Sequence, residues 1–144
     1  MILSIENSTS NLSLTLLINN QVINKVSIQI KNDLSEIIIP TIKNFIKNNS
    51  ITFLNISLLV VGCGPGSFTG IRAVISAAKG IYLSNKHIKI IGINSLAGLA
   101  MSALIEAKNR NIQYIIASID TKRDDLFLQL FRVHNCNEKL LPFS

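Results

Sequence analysis

Residues 58–83 read LLVVGCGPGSFTGIRAVISAAKGIYL, and the rest of the chain is organised around them. The stretch opens with a continuous apolar run, Leu58, Leu59, Val60 and Val61. Such a run, closed by glycine, reads as a strand buried on both faces. Gly62, Gly64, Pro65, Gly66 and Gly70 then follow within a few residues, and helical spacing begins at Ile71. Strand, glycine-rich loop and helix is a layout used for phosphate, because loop N–H groups and a helix N-terminus both face an anion. It is equally the layout of a tight connection between two buried elements. Spacing favours that structural reading. Gly64 and Gly70 stand one residue too far apart for a Walker A loop, and Ile71 occupies the place of its lysine. A dinucleotide fingerprint would want an acid at the end of the next strand, where this chain has Asn94. Ser67 lacks the G-x-S-x-G spacing of a nucleophile elbow, since Pro65 and Thr69 stand where its glycines would be.

The chain has 144 residues, enough for one real core or one lobe and part of another. It is 48% apolar and 6% aromatic, which suits a packed α/β protein. The net charge is +6, but the lysines are scattered among Asn and Ile, with no basic cluster and no interleaved aromatics. Direct nucleic-acid binding by this chain is not expected. Cys63 and Cys136 make neither a disulfide framework nor a zinc pattern, and Cys63 reads as a small core residue. His87 and His134 stand outside any ligand spacing, so no metal is expected. No apolar run nears the roughly 18 residues of a membrane span, and the start, MILSIENS, lacks the features of a signal peptide. The expected compartment is the cytoplasm.

Taken in order, residues 1–5, 12–16 and 22–30 alternate as three strands of a meander, with polar turns at 6–11 and at Asn19-Asn20. Asp33 reads as the cap of a first helix over 34–48, with Glu36 completing a capping box. Leu34, Ile38, Ile42 and Phe45 form one stripe; Ile37 widens it on one side, Ile39 and Ile46 on the other. That arc is about twice the roughly 100° needed against one sheet. Pro40 inside it predicts a kink or an interrupted first turn. The second helix is capped by Ser67 or Thr69. Val74, Ala77, Ala78 and Ile81 face inward, and Ala73, Ser76, Ala77 and Gly80 form a strip of small side chains open to another helix. A strand over 87–93, a third helix capped by Asn94 or Ser95 with apolar positions from Leu96 to Ala107, and strands over 112–119 and 126–133 complete the reading.

An internal repeat connects the two ends. Ser4-Ile5-Glu6-Asn7 through Leu16 aligns without gaps on Ser118-Ile119-Asp120-Thr121 through Leu130. Each copy is a strand, an acid at its tip, a polar turn and an alternating strand. The chain therefore reads as one lobe over 1–110 and the opening of a shortened second lobe over 111–144. Neither turn carries a glycine to let backbone reach phosphate, and Asp124 and Asp125 would repel it.

Two lobes that each open with an acid-tipped hairpin is the plan of the actin, sugar-kinase and Hsp70 (ASKHA) group. Within it, GPGSFTG followed by Ile71-Arg72 closely resembles the motif of the bacterial TsaB (YeaZ) family, as do LSIENST, LSEIIIP, IIGINSLAGLA and ASIDTKRDDLFLQLF. The resemblance departs at Glu6, where the family commonly has Asp, at Leu34, where it often has His, and in the short second lobe. It implies an ASKHA fold and a subunit without catalytic activity or cofactor. It also implies pairing through the first two helices with the catalytic TsaD subunit, alongside the ATPase TsaE. Together these make threonylcarbamoyladenosine in tRNA, so tRNA is met only through the complex. The expected contact residues are Arg72, Ala73, Ile75, Ser76, Lys79 and Gly80 of the second helix with Ile37, Ile39 or Ile46 of the first. Gly64, Pro65, Gly66, Ser67, Phe68, Thr69 and Gly70 are expected to serve as a structural loop. Weak self-association of the isolated chain is expected as well. The alternative function is a nucleotide-binding enzyme of the actin and sugar-kinase group.

Overall fold

The computed structural model describes residues 1–30, 34–133 and 140–142, the last three by backbone alone. The expected cap at Asp33, and also His134 and Cys136, lie outside the described residues.

Alternation builds the opening meander of β1 (Ile2–Glu6), β2 (Asn11–Ile18) and β3 (Gln21–Gln29). Leu12, Leu14 and Leu16 are buried on one face of β2, while Ser13 and Thr15 lie half-buried on the other. Asn19 and Asn20 both take positive φ between Ile18 and its partner Gln21. A two-residue hairpin turn needs that backbone, and asparagine tolerates it. After α1 (Leu34–Asn48), strand β4 (Leu58–Gly62) joins β1 in parallel; after α2 (Phe68–Ser84), β5 (Lys89–Ile93) joins β4 in parallel. The result is a mixed five-stranded sheet in the order β3-β2-β1-β4-β5.

Leu3, Ile5, Leu14, Leu59 and Val61 of the sheet share one buried cluster with Ile38, Ile42, Val74, Ala78 and Ile81 of the two helices. In α1 the stripe of Leu34, Ile38, Ile42 and Phe45 is buried as its spacing dictates. Pro40 is accommodated inside the helix on its exposed side. The Glu36 carbonyl, deprived of its N–H partner there, belongs to an exposed residue that water can reach.

A second, smaller layer follows. Helices α3 (Ser95–Ser102) and α4 (Leu104–Asn109) precede an antiparallel sheet of β6 (Tyr114–Asp120), β7 (Leu126–Val133) and β8 (Leu140–Pro142). The single third helix expected from periodicity is thus two short ones. Ser102 turns its hydroxyl back to the Leu99 carbonyl at 2.6 Å, and Ala103 joins the two helices. Such a bond competes with the helical ladder. Leu96 and Ala100 of α3 are buried with Ala117, Ile119 and Phe131 of this sheet. The sequence places the join between lobes after residue 110, whereas the second cluster of buried side chains already begins at Leu96. No helix among the described residues is long and apolar enough to cross a membrane.

Leu14 is fully buried and Leu54 is 78% exposed. Leu14→Ala is expected to cost about 2–5 kcal/mol, and Leu54→Ala less than about 0.5 kcal/mol. Urea unfolding of the two variants checks this.

Candidate functional site

The glycine loop is packed against the turn after β1. The Ser67 N–H donates to the Ser8 carbonyl at 2.7 Å, and the Ser67 hydroxyl accepts from the Gly70 N–H at 3.2 Å, capping α2. Of the two expected caps, Ser67 is the one used. Gly66 has φ of +152°, and a side chain on it would overlap the backbone and Cβ of Ser8. A side chain on Gly70 would overlap the Asn7 carbonyl and amide oxygens. Asn7 itself is buried, and its Nδ2 has no hydrogen-bond partner among the described residues. Beyond the loop, the Gly64 carbonyl accepts from the Ser95 N–H at 2.8 Å.

The acid at each hairpin tip is turned onto its own chain. The Glu6 carboxylate accepts from the Ser8 N–H at 2.7 Å and from the Ser95 hydroxyl at 3.3 Å. In the second copy the Asp120 carboxylate accepts from the Lys122 N–H, also at 2.7 Å. That hydrogen bond, helped by the Lys122 charge, holds the Asp120 carboxyl below the usual carboxylate range. Both halves of the repeat therefore use up a turn N–H, two residues after the acid, inside the turn. Among the described residues no three His, Cys, Asp or Glu side chains gather as metal ligands.

An apolar groove of about 570 Å³ lies between α1 and α2. Ile38 and Ile39 form one wall; Ala73, Ser76, Ala77 and Gly80 form the other. Nothing lies within 4 Å of where a side chain on Gly80 would begin. At the N-terminal end of α2, Phe68 is 68% exposed, and the Arg72 guanidinium stands 4.1 Å from the centre of its ring.

Of the residues expected at a partner surface, Ile39, Arg72, Ala73, Ser76 and Gly80 line this groove. Ile37 and Ile75 are half-buried, and Lys79 is exposed; none of the three lines it. Ile46 must be corrected: it is buried in the main core, because its spacing of four residues from Ile42 and eight from Ile38 puts it on their buried stripe. The wide apolar arc is thus mostly covered, and only its Ile38–Ile39 side reaches the groove. Cys63 is also corrected. It is exposed, its sulfur occupying the place a side chain on Gly92 would take. Phe68, assigned to the loop alone, turns out to be the groove's aromatic end. Its spacing of four residues from Arg72 on one helix is the signal that could have found it.

A family model described as TsaD, tRNA N6-adenosine threonylcarbamoyltransferase, matches residues 22–139. A relative from Buchnera aphidicola subsp. Schizaphis graminum, named tRNA threonylcarbamoyladenosine biosynthesis protein TsaB, is 35% identical over 78% of this chain and 52% of its own length. The chain belongs to the TsaB/YeaZ family. The protein of the same name from Bacillus subtilis is 29% identical over 93% of this chain and 56% of its own. The solved structure of YeaZ from Pseudomonas aeruginosa superposes with a TM-score of 0.78 at 17% identity, covering 99% of this chain and 64% of that one. The chain thus spans about half the length of the TsaB relatives it matches.

Gly66→Val should lower stability by about 1–3 kcal/mol, through strain at positive φ and the clash with Ser8. Thermal melts check it. The same melts with ATP, ADP or a nonhydrolysable analogue, with and without magnesium, are expected to show no nucleotide-dependent shift in the wild-type chain.

Proposed function

We propose that this chain acts as a non-catalytic scaffold in the synthesis of threonylcarbamoyladenosine in tRNA, binding a TsaD-like catalytic subunit through the faces of α1 and α2. The carrying observation is the open apolar groove between those helices. A groove walled by Ala73, Ser76, Ala77 and Gly80 admits another helix at about 8–10 Å between axes. The glycine loop supports the same reading, since its glycines admit the neighbouring turn and the hairpin N–H groups are turned onto their own acids. A TsaE-like ATPase and tRNA are met through the assembled complex, in the cytoplasm. The chain corresponds to one ASKHA lobe and the opening of a second.

Ser76 is exposed on the groove wall, so a long charged side chain there should leave the fold intact. Ser76→Arg is expected to abolish binding to the purified catalytic subunit while moving the melting temperature by no more than a degree or two. Normal binding by the folded variant would place the interface elsewhere.

A bare apolar face marks the second sheet. Ile116, Leu126 and Leu128 are each more than half exposed on the side away from α3. Patches of this kind promote association. The isolated chain is expected to self-associate weakly through this face, giving a sedimentation coefficient that rises with concentration. Ile116→Lys should return it to a monomer.

A further inference from the structure

The five-stranded sheet and its two helices keep their charges apart. Residues 1–105 contain three acids, Glu6, Asp33 and Glu36, and none after Glu36. Glu6 ends β1, and Glu36 lies in the first turn of α1. Both helices begin at that end of the sheet, since Asn7, Leu34, Ser67 and Thr69 line one cleft there. The opposite end is formed by the starts of β1, β4 and β5. There the Ser57 N–H donates to the Met1 carbonyl at 2.9 Å, and the Lys89 N–H donates to the Ser57 carbonyl at 3.0 Å. Lys47 stands in the last turn of α1, Lys86 follows the end of α2, and Lys89 opens β5; all three are exposed. The loops after the two helices touch, with His87 Nε2 3.3 Å from the Phe53 carbonyl oxygen. Residues 47, 86 and 89, scattered along the chain, are thus gathered at one end of the fold.

Helix ends attract cations, but two of them present only about one negative charge in all. Three lysines exceed that, and Lys89 is on a strand. None of the three has a carboxylate: among the described residues the ion pairs are Arg110–Glu106 and Lys122–Asp120. Lys86 instead lies 4.9 Å from the centre of the Tyr82 ring. Exposed Asn48, Asn55 and Ser57 add amide and hydroxyl groups of the kind that hold phosphate oxygens. We propose that this lysine end binds the phosphate backbone of an RNA, giving the chain its own contact with the tRNA of the proposed function. The inference rests on that function only for which RNA is met. Lysines on phosphates carry no base readout, so the contact is independent of sequence. The site lies past the last turns of α1 and α2, whereas the groove between them is lined no further than Gly80. A partner in the groove and an RNA at this end occupy different surfaces.

The test measures binding of an unmodified tRNA transcript to the full chain at about 50 to 200 mM salt. Three lysine–phosphate contacts should give a slope of about −2 to −3 in log affinity against log salt. Lys86→Glu with Lys89→Glu should weaken binding at least about tenfold at the lowest salt and flatten the slope. Lys25 is exposed on β3, four strands from β5 and roughly 19 Å across the sheet. Lys25→Glu together with Arg123→Glu, an equal change in net charge away from the lysine end, should weaken binding by less than about threefold. Equal losses in the two double variants would make the effect one of net charge and overturn the site. RNA binding unchanged by Lys86→Glu with Lys89→Glu, or no RNA binding by the wild-type chain, would overturn it too. So would wild-type binding to phosphatidylserine vesicles in place of RNA, which would make this end a membrane contact. Binding to the purified catalytic subunit is measured alongside and should be the same in the Lys86→Glu, Lys89→Glu variant as in the wild type. If the wild-type chain binds RNA as described and not the catalytic subunit, the scaffold reading falls while the lysine site stands.

Discussion

The turn after β1 can lie against the start of α2 only because Gly66 and Gly70 have no side chains. Ser8 and Asn7 occupy the volume that a Cβ would need at those two positions. The Ser67 N–H then reaches the Ser8 carbonyl, and the Ser67 hydroxyl caps the helix. Those contacts fix where α2 begins and how its buried edge, Val74, Ala77, Ala78 and Ile81, meets the sheet. The same junction holds α3, since Ser95 bonds Gly64 through its N–H and Glu6 through its hydroxyl. One close approach between a turn and a loop thus sets the position of two helices.

The groove is a consequence of that placement. With α2 seated by its own first turn, the strip of Ala73, Ser76, Ala77 and Gly80 faces Ile38 and Ile39 of α1 without filling the space between. Larger residues would have closed the gap and stabilised the isolated chain. Small ones leave apolar surface uncovered, and burying it against a partner regains roughly 25 cal/mol for each Å² removed from water. In the proposed role, stability of the isolated chain and capacity to bind are traded along one helix face.

The repeat behaves the same way at both ends of the chain. Glu6 and Asp120 each end a strand and each hold the N–H two residues on. The first hairpin is backed by parallel strands on its far side, because β4 adds to β1. In the second hairpin, β6 has β7 alone beside it among the described residues. Identical local chemistry therefore sits in a complete sheet once and in a small antiparallel one once.

Much of this was legible in the residues. Period-two leucines placed β2 and its buried face, period-3.6 spacing placed the stripes of α1 and α2, and Asn19-Asn20 placed the first hairpin turn, since each depends on neighbours a few positions apart. The aligned acids Glu6 and Asp120 disclosed the repeat for the same local reason. What only the tertiary structure decided involves residues distant in the chain. Whether Ile46 was core or surface depended on which edge of the wide apolar arc of α1 meets the sheet. Where the Cys63 side chain lies depended on Gly92 of the neighbouring strand, whose missing side chain leaves room for the sulfur. That Leu96 and Ala100 pack on the second sheet depended on where that sheet lies. The role of Gly66 and Gly70 depended on Asn7 and Ser8, some sixty positions away, because steric exclusion acts through space and leaves no periodic trace along the sequence.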